Sequence, residues 1–451
     1  MIGCPMQTVT RPLVDFLASS RWEDVPDDVR HAAKRSILNC FGAALGGSQD
    51  AAVKGVLAVL DRFSGPRGAT VTGHAIRLDM LSAAFVNAAS GNVFDFDDTH
   101  HPTIIHPTAP VAPALFALAE SRVTTGQELL LAFVLGVEVE CRLGNAVTPW
   151  HYKRGWHITS TCGVFGAAAA AAKVLGLDAQ QMLWALGNAS AQSSGLIETL
   201  GTMAKSIGVG ASARGGLSAA LFAEAGVTGP AEPIAGPRGF TSVMGHGADL
   251  AAISEGLGKT WELHANTHKP YPCGVVLFPV IDACLDLRAQ NPGLNLDAIT
   301  EIKVEGHSLL RERTDRPSVI TGREAQVSAQ HSVAVALIEG LAGVAQFEDA
   351  IVNRADILTL RSKVHVRERA GTSVEAAHVT ITLADGRTLH SLVEQGRGTP
   401  QRPMSDADIE AKVRDLAKYG CPTLDPSPLI DAIWSLESSR DAGTVMHLAS
   451  T

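Results

Sequence analysis

The sequence has 451 residues, of which 46% are hydrophobic and 18% are charged, with a formal net charge of −9 and a pI near 6.0. This length predicts two or three domains, and the composition is that of a globular protein. The acidic balance and the lack of a basic stretch argue against nucleic-acid or anionic-membrane partners and favour a small-molecule substrate.

The N-terminus and the cysteines indicate a reducing compartment. Residues 1–7 lack the charged start and apolar run of a signal peptide, which predicts a cytoplasmic protein. The seven cysteines, Cys4 among them, form no CxxC pair, as expected of reduced thiols. The most apolar windows, at 129–139 and 163–175, are too short or too rich in alanine and glycine to span a membrane, so we expect core helices there.

Residues 10–260 have a helical pattern almost throughout. Thr125 precedes a run that is apolar on nearly all sides, as in a helix buried among others. Segments 163–175 and 178–192 predict a helix pair, with Asp178 capping the second helix. The many small residues of this region allow helices to approach closely, which predicts a compact all-helical domain.

After about residue 265 the pattern becomes mixed. Three segments alternate like strands, and Asp385-Gly386 after the third predicts a hairpin. The strand segments are 301–306, 363–367 and 378–383, and the helical segments between them are 273–287 and 328–341. The pattern is that of an α+β domain.

A third change falls at Ser405, where an acidic first turn opens another helix. We therefore predict a helical domain over 1–265 and an α+β domain over 266–400. The C-terminal helices, over 401–451, are expected to return to the helical domain.

Residues 95–110 contain the strongest chemical signal, three aspartates and three histidines in an otherwise apolar chain. Asp95 lies within the apolar run Val-Phe-Asp-Phe, where a carboxylate needs a partner. His106 lies at a helix entrance before a proline, where a neutral imidazole can transfer protons near neutral pH. Two other interpretations stay open: a metal site built on the cluster, and an ordinary turn in which His100 and His101 are solvated.

Four further residues lie among glycine, proline and hydroxyl side chains, the setting in which loops hold functional groups. Lys205 interrupts a stretch of small residues, as expected of an ammonium that holds a small anion, and Arg214 can bind a carboxylate at two points. His157 is either a catalytic group or a core histidine bonded to a neighbouring threonine hydroxyl. Lys269 opens a Lys-Pro-Tyr-Pro segment and is either functional or an exposed lysine in a hinge loop.

Several known site types lack sequence support. The sequence contains no GxGxxG-to-helix, P-loop, GxSxG or HExxH motif, which argues against nucleotide-binding, α/β-hydrolase and zincin functions. Cys273 has no evident base beside it, so we interpret it as a half-buried structural thiol rather than a nucleophile.

Taken together, four motifs resemble the MmgE/PrpD family. They are Val-Phe-Asp95-Phe-Asp-Asp-Thr99 with His106-Pro-Thr, Gly-Trp-His157-Ile-Thr-Ser-Thr-Cys-Gly-Val-Phe-Gly, Gly-Thr-Met-Ala-Lys205 with Ala-Arg214-Gly, and Lys269-Pro-Tyr-Pro-Cys-Gly, in order over essentially the whole chain. The family includes 2-methylcitrate dehydratase, cis-aconitate decarboxylase and iminodisuccinate epimerase. The resemblance implies a large all-α helical domain plus a smaller α+β lid domain, a homodimer, and a reaction that uses neither a metal nor an organic cofactor.

The resemblance also implies a set of site residues. Those expected for catalysis are Asp95, His106, His157, Lys205 and Lys269, and those expected for substrate binding are Thr99, Arg214, Tyr271 and His331. His106 would be the principal acid/base, with Asp95 orienting it and His157 as the second proton carrier or a substrate ligand. The two lysines would hold substrate carboxylates and favour an enolate-like state.

Two departures separate this chain from the decarboxylase pattern. His331 stands where the decarboxylase has tyrosine, and Gly274 and Phe278 stand where it has histidines. We therefore expect a cofactor-independent hydro-lyase acting on a small di- or tricarboxylate such as 2-methylcitrate. The alternatives are epimerisation of a substituted succinate or decarboxylation of a cis-aconitate-like acid and, outside the family, a metal-dependent hydrolase or a non-catalytic binding protein.

Overall fold

The computed structural model describes residues 8–451. Cys4 and the other N-terminal residues, on which the expectation about a signal peptide rests, lie outside this range. The chain forms two compact units. The first, here called the helical unit, comprises the described chain up to Val93, Asp97–Asn266 and Asp406–Thr451. The second, the mixed unit, comprises Phe94–Phe96 and Thr267–Ser405.

The helical unit is built of helices joined by short connections. Its helices before the mixed unit are α1 (Thr10–Ser19), α2 (Asp27–Gly47), α3 (Ala51–Phe63), α4 (Met80–Asn92), α5 (Thr108–Ala119), α6 (Gly126–Val147), α7 (Trp150–Arg154), α8 (Ile158–Val174), α9 (Ala179–Ser190), α10 (Ala204–Glu224), α11 (Phe240–Met244) and α12 (Ala251–Ser254). Three short strands accompany them, namely β1 (Ala69–Thr70), β2 (Arg77–Leu78) and β3 (Asp98–His100). Strands β1 and β2 pair antiparallel.

Small residues bring the central helices together. Helix α8 packs against both α6 and α10, and α10 also packs against α4. A Cβ placed on Gly216 of α10 would lie 2.5 Å from the Ala167 Cβ on α8, and one on Gly136 of α6 would lie 2.7 Å from the Gly166 carbonyl oxygen. Larger side chains would force these helices apart, so the alanine- and glycine-rich composition is what permits this packing.

The helix caps predicted from the sequence are present. The Thr125 hydroxyl accepts a hydrogen bond from the Glu128 N–H, and the Glu128 carboxylate accepts one from the Thr125 N–H, which makes a capping box at the start of α6. Asp178 and Gln181 form the same arrangement at the start of α9. Both predicted helix starts are confirmed.

The mixed unit contains a four-stranded sheet covered by helices. After β4 (Asn266–His268), which crosses the boundary between the units, its elements are α13 (Phe278–Gln290), β5 (Ile299–Gly306), α14 (Ser308–Thr314), α15 (Gly322–Ala325), α16 (Ala329–Glu339), α17 (Asp349–Val352), α18 (Ala355–Arg361), β6 (Val364–Glu368), β7 (Ala377–Leu383) and β8 (Thr388–Val393). The sheet order is β6-β5-β7-β8. Strand β5 runs parallel to β6 and antiparallel to β7, which pairs antiparallel with β8.

One face of this sheet forms the core of the mixed unit. Alternate residues of β7 are buried, and α13 and α16 pack on the sheet and on each other. Gly386, at φ +85, lies at the tip of the β7–β8 hairpin, which confirms the predicted turn. The helix predicted to start at Cys273 begins at Phe278, because a 3₁₀ turn occupies the preceding residues and Pro279 favours the first turn of an α-helix.

The chain returns to the helical unit with α19 (Asp406–Gly420), which packs on α2, and α20 (Ser427–Trp434). The fold is therefore a large helical domain plus a smaller α+β domain, as predicted. Across residues 8–451, no helix combines the length and apolarity needed to cross a bilayer. All six described cysteines are buried free thiols; Cys273 is fully rather than half buried, and burial raises the pKa of its thiol.

Candidate active site

A tight reversal of the chain after β3 positions His106. The His100 N–H donates to the Ile105 carbonyl oxygen, and Ile104 adopts a left-handed conformation at φ +60. A β-branched residue takes this conformation only where the surrounding structure imposes it. The reversal returns His106 to the side of β3, immediately before α5.

The contacts of His106 fix its tautomer. Its Nδ1–H donates to the Asp98 carbonyl oxygen at 2.7 Å, with the Thr99 hydroxyl at 3.3 Å and an Asp97 carboxylate oxygen at 3.5 Å from the same nitrogen. Its backbone N–H donates to the Thr159 hydroxyl at 3.1 Å. Because Nδ1 holds the proton, the lone pair is on Nε2, which is the form that acts as a general base.

Two buried carboxylates lie beside this histidine. Asp97 accepts a hydrogen bond from Asn92 at 2.6 Å. Asp98 accepts hydrogen bonds from the Thr108 hydroxyl and, at 2.6 Å, from the Asn266 amide. Burial raises the pKa of Asp98 to about 6, although the two hydrogen bonds oppose this rise, and the negative charge of Asp97 adds to it. Asp98 thus gains and loses its proton in the range where a histidine does.

His100 is buried rather than solvated, which excludes for this residue the ordinary-turn interpretation of the sequence. Its Nδ1 lies 2.7 Å from the Thr103 hydroxyl and its Nε2 3.0 Å from a Glu262 carboxylate oxygen. Asn145 also donates to Glu262. Burial would raise the pKa of Glu262, but the hydrogen bonds from His100 and Asn145 outweigh it and lower that pKa. His100 therefore anchors β3 to the helical unit.

Three side chains of residues 95–110 are not available as metal ligands, which leaves Asp95, Asp97 and His106 as the members of the cluster that could hold an ion. The side chains of Asp98 and His100 are used in hydrogen bonds to protein groups, and His101 is exposed. A divalent ion needs carboxylate or imidazole lone pairs that converge on one point. The two buried groups serve to hold the polypeptide around His106.

His157 lies at the N-terminal end of α8 and is 4% exposed. Its Nδ1 is 2.7 Å from the hydroxyl of Ser160, a residue that the sequence-based expectation of a threonine partner did not include. A Cβ on Gly195 would lie 2.7 Å from the Ser160 Cβ, and the Gly195 carbonyl oxygen accepts a hydrogen bond from the His157 N–H. The lack of a side chain at Gly195 therefore leaves room for Ser160 and for its contact with His157.

Lys205 and Arg214 both lie on α10 but in different settings. Lys205 is the second residue of the helix and is only 8% exposed, so a buried ammonium lies next to the positive end of the helix dipole. This combination attracts an anion. Arg214 is in the third turn of the helix; it is exposed, with its guanidinium carbon 5.0 Å from the centre of the Phe85 ring.

In the mixed unit, Lys269 is buried and paired with Asp95, in contrast to the exposed hinge lysine that the sequence left open. Its Nζ donates to an Asp95 carboxylate oxygen at 2.8 Å and to the Asp95 carbonyl oxygen at 2.9 Å. Asp95 itself adopts a left-handed conformation at φ +53, which costs energy in a non-glycine residue. The partner that a carboxylate needs in this apolar run is therefore Lys269.

The other two candidates of the mixed unit lie in its interior. Tyr271 is 5% exposed and donates its hydroxyl proton to Asp282 at 2.6 Å. His331 is fully buried on α16, and its Nε2–H donates to the Gln346 carbonyl oxygen at 2.8 Å. Burial lowers the pKa of His331 to about 4, so its imidazole is neutral at pH 7. Tyr271 uses its hydroxyl proton within the protein and His331 its Nε2–H, whereas His331 Nδ1 has no hydrogen-bond partner within residues 8–451.

The structure thus brings Thr99 together with His106, and Asp95 with Lys269. It also shows a group that the sequence analysis did not include among the site residues, the Asp98 carboxylate. The signal for Asp98 was weak, because its sequence neighbours Asp97 and Thr99 are polar and only the density of aspartates and histidines over residues 95–110 marked it.

Comparison with known proteins gives matches over nearly the whole chain. The sequence model of the MmgE/PrpD N-terminal domain matches residues 11–252, and that of the MmgE/PrpD C-terminal domain matches residues 271–434. The cis-aconitate decarboxylase of Homo sapiens is 28% identical over 461 residues, which cover 98% of this chain and 95% of that protein. The enzyme of the same name from Mus musculus is 27% identical, with 98% and 93% covered, and that from Aspergillus terreus (strain NIH 2624 / FGSC A1156) is 28% identical, with 98% and 95% covered.

Proposed function

The chain belongs to the MmgE/PrpD family, and from this premise we propose that it is a cofactor-independent lyase acting next to a carboxylate group of a small di- or tricarboxylate, with dehydration as its reaction. The observation that supports this most directly is the state of His106. Its Nδ1–H is anchored on the Asp98 carbonyl oxygen, and a carboxyl group with a pKa of about 6 lies in the same segment. A proton acceptor with a fixed tautomer is what proton abstraction requires.

In the proposed reaction, His106 Nε2 takes a proton from the carbon next to a substrate carboxylate. The electron pair of that C–H bond forms a C=C bond while the C–O bond at the neighbouring carbon breaks. The leaving oxygen takes a proton, in our assignment from His157, and departs as water. The imidazolium of His106 and the deprotonated His157 then exchange protons with solvent to restore the starting state.

The cationic residues supply the charge stabilisation that this step needs. Removing a proton next to a carboxylate places a further negative charge on the substrate, and a fixed ammonium opposite it lowers the barrier. Lys205 is assigned to this role because its ammonium is buried at the start of α10. Lys269 is assigned as a carboxylate ligand, because an ammonium already paired with Asp95 is charged and held in place.

Decarboxylation is the second candidate, and the relatives favour it. The named relatives are cis-aconitate decarboxylases that align with 98% of this chain. In that reaction the C–C bond to a carboxylate breaks, carbon dioxide leaves, and the electron pair left on carbon takes a proton from an acid such as protonated His106. We place it second because buried Phe278 and internally bonded His331 occupy positions where the decarboxylase pattern has histidine and tyrosine.

The decisive experiment follows purified protein by proton NMR in deuterated buffer with 2-methylcitrate, cis-aconitate and iminodisuccinate in turn. Appearance of alkene signals from 2-methylcitrate, or their loss from cis-aconitate by water addition, supports the hydro-lyase. Release of carbon dioxide from cis-aconitate moves the assignment to decarboxylase. Deuterium entering an unchanged carbon skeleton moves it to epimerase.

Two controls keep this experiment interpretable. The His106→Gln variant identifies turnover that depends on the proposed base, and a contaminating activity would persist in it. Dialysis against a chelator should leave the rate unchanged, since the proposed chemistry uses only side chains. Loss of activity after dialysis, restored by added divalent metal, would instead return the metal-dependent hydrolase to first place.

A further inference from the structure

The position of the Lys269 ammonium depends on the backbone that presents it. Lys269 lies in residues 267–274, a segment that is irregular after the end of β4 at His268 and contains Pro270 and a second proline two residues later. This segment, here called the strap, contacts neighbouring parts of the mixed unit that help to set its shape. A carboxylate ligand such as Lys269 is useful only if its ammonium is held to within a fraction of an ångström.

Asp282 of α13 accepts hydrogen bonds both from the strap and from the loop that lies against it. Its carboxylate is 4% exposed and accepts three hydrogen bonds. One comes from the Tyr271 hydroxyl at 2.6 Å, within the strap itself. The other two come from the loop at 396–402, from the Arg397 N–H at 2.7 Å and from Arg402 Nη1 at 3.0 Å. Asp282 therefore ties the strap, the loop and α13 together.

The loop at 396–402 lies directly against the strap residues that flank Lys269. Gly398 has φ +83, and a Cβ placed on it would lie 2.6 Å from Pro270 Cδ and 2.7 Å from the His268 carbonyl oxygen. These two contacts come from the residues before and after Lys269. Only glycine fits this approach, so a shift of the loop would be transmitted to the backbone of Lys269.

A second support comes from the opposite end of the strap. The Gly274 N–H donates to the Gln326 carbonyl oxygen at 3.2 Å, and the Gln326 side-chain amide donates to the Phe94 carbonyl oxygen at 2.7 Å. Phe94 is next to Asp95, the ion-pair partner of Lys269. Both members of the ion pair are thus held by the mixed unit, one through Gln326 and the other through Asp282 and the 396–402 loop.

We propose that Asp282 is a positioning residue for Lys269, acting through Tyr271 and through the contact of Gly398 with the strap. The inference rests on the proposed function in one respect, the assignment of Lys269 as a ligand of the substrate carboxylate. Asp282 does not touch substrate in this view. It keeps the ammonium of Lys269 beside Asp95, in the position from which it binds the substrate carboxylate.

The test uses the full chain with Asp282→Asn, Gly398→Ala and a matched control, Gly386→Ala. The control glycine has φ +85 at the β7–β8 hairpin tip, with open space around its Cβ position, so it shares the backbone strain of Gly398→Ala but not the contact with the strap. Reactivity of the Lys269 amine toward an acylating reagent, followed by mass spectrometry, is measured together with kcat and KM.

Asp282→Asn and Gly398→Ala should accelerate acylation of Lys269 and lower kcat/KM about tenfold to a hundredfold, mainly by raising KM, as expected of a displaced ligand. Gly386→Ala should change neither quantity. Wild-type acylation rates in folded Asp282→Asn and Gly398→Ala would overturn the proposal. If either variant fails to fold, Tyr271→Phe, which removes one of the three hydrogen bonds and keeps the ring, replaces it with the same expected direction.

The two readouts separate this inference from the proposed function. If the wild-type protein turns over none of the three acids, acylation of Lys269 still tests the role of Asp282. If turnover is present but acylation is unchanged in the variants, the positioning role fails and the proposed function stands.

Discussion

The His106 region of the helical unit and the Lys269 region of the mixed unit use carboxylates in opposite ways. Around His106, Asp98 is fully buried, accepts hydrogen bonds from neutral groups, and has a pKa raised to about 6. Around Lys269, the Asp95 carboxylate is partly exposed and bound directly by an ammonium group. The first arrangement lets protons enter and leave near neutral pH, whereas the second holds a positive charge in one place.

The difference indicates that the His106 region is suited to proton transfer and the Lys269 region to charge stabilisation. A histidine bonded to a backbone carbonyl keeps one tautomer without being committed to a full ion pair, so it can both accept and release a proton. A lysine paired with a carboxylate is held in an ion pair at a fixed position. A substitution in the His106 region should therefore lower the rate of proton transfer, and one in the Lys269 region should weaken the binding of the substrate carboxylate.

The largest effect is expected from His106→Gln. Glutamine can still donate a hydrogen bond to the Asp98 carbonyl oxygen but cannot accept a proton, so we expect turnover to fall about 10²- to 10⁴-fold with little change in KM. Steady-state kinetics and thermal unfolding of the purified variant test this. His101→Gln, in the same turn but exposed, is the control and should keep wild-type activity. Equal losses of turnover in both variants would show that activity depends on the conformation of the turn and not on His106 as a base.

Lys269→Met should give a loss of another kind. Removing the ammonium leaves Asp95 without its cation and the substrate without a charged ligand, so KM should rise and kcat/KM should fall about 10²-fold or more. The half-exposed Lys303→Met variant in the same unit is the control. A decrease in kcat alone, with KM unchanged, would place Lys269 with the proton-transfer groups. The assignment of the two regions to different roles would then be wrong.

Asp98→Asn should remove a pH dependence of stability. The folded-state pKa of about 6 lies above the ordinary value of 3.8, so the folded protein binds this proton more tightly than the unfolded chain. Stability should therefore fall as pH rises from about 4 to 6, by about 3 kcal/mol in total from this group. Urea unfolding at several pH values tests the slope. Asparagine has no proton to lose, so the fall in stability between pH 4 and 6 should be smaller in the variant than in the wild type.

Much of the fold could be predicted because local patterns and tertiary packing agree. The Thr125 and Asp178 caps, the strands and the Asp385-Gly386 turn each follow from a few neighbouring residues, and each is confirmed. The start of α13 was wrong by five residues, since an apolar pattern does not distinguish a 3₁₀ turn from the helix that follows it.

The site could be predicted only in part, because burial and partners depend on contacts distant in sequence. The neighbours of His106 and Asp95 in the sequence predict that His106 lies at the entrance of α5 and that Asp95 needs a partner. They do not predict that this partner is Lys269, which is 174 residues away. His100 and Asp282 show the same limit. The sequence left a solvated position open for His100, and Asp282 lies in a helix without a distinguishing local pattern, yet each joins distant segments through a buried side chain.

Glu140, a carboxyl group of the helical unit, extends this comparison to a group without hydrogen-bond partners in the described part of the chain. It is fully buried on α6, and within residues 8–451 neither of its carboxylate oxygens has a hydrogen-bond partner. A Cβ on Gly163 or Gly166 of α8 would lie 3.2 or 3.0 Å from those oxygens, so the two glycines provide its space. Burial, and then the negative charge of Asp98, hold the pKa of Glu140 well above its usual range.

We therefore expect Glu140 to be protonated at neutral pH, since an unpaired charge in this position would cost several kcal/mol. The folded state holds this proton more tightly than the unfolded chain, so stability should fall as pH rises above the ordinary value of 4.5, by about 1.4 kcal/mol per pH unit. Glu140→Gln keeps the shape of the neutral acid but has no proton to lose. Its thermal midpoint should fall less steeply than that of the wild type between pH 6 and 9, with activity nearly unchanged, whereas the exposed Glu224→Gln should follow the wild type. Parallel curves for Glu140→Gln and the wild type would mean that Glu140 is ionised in the folded protein, and the helical unit would then hold a fixed charge of the kind seen at Asp95.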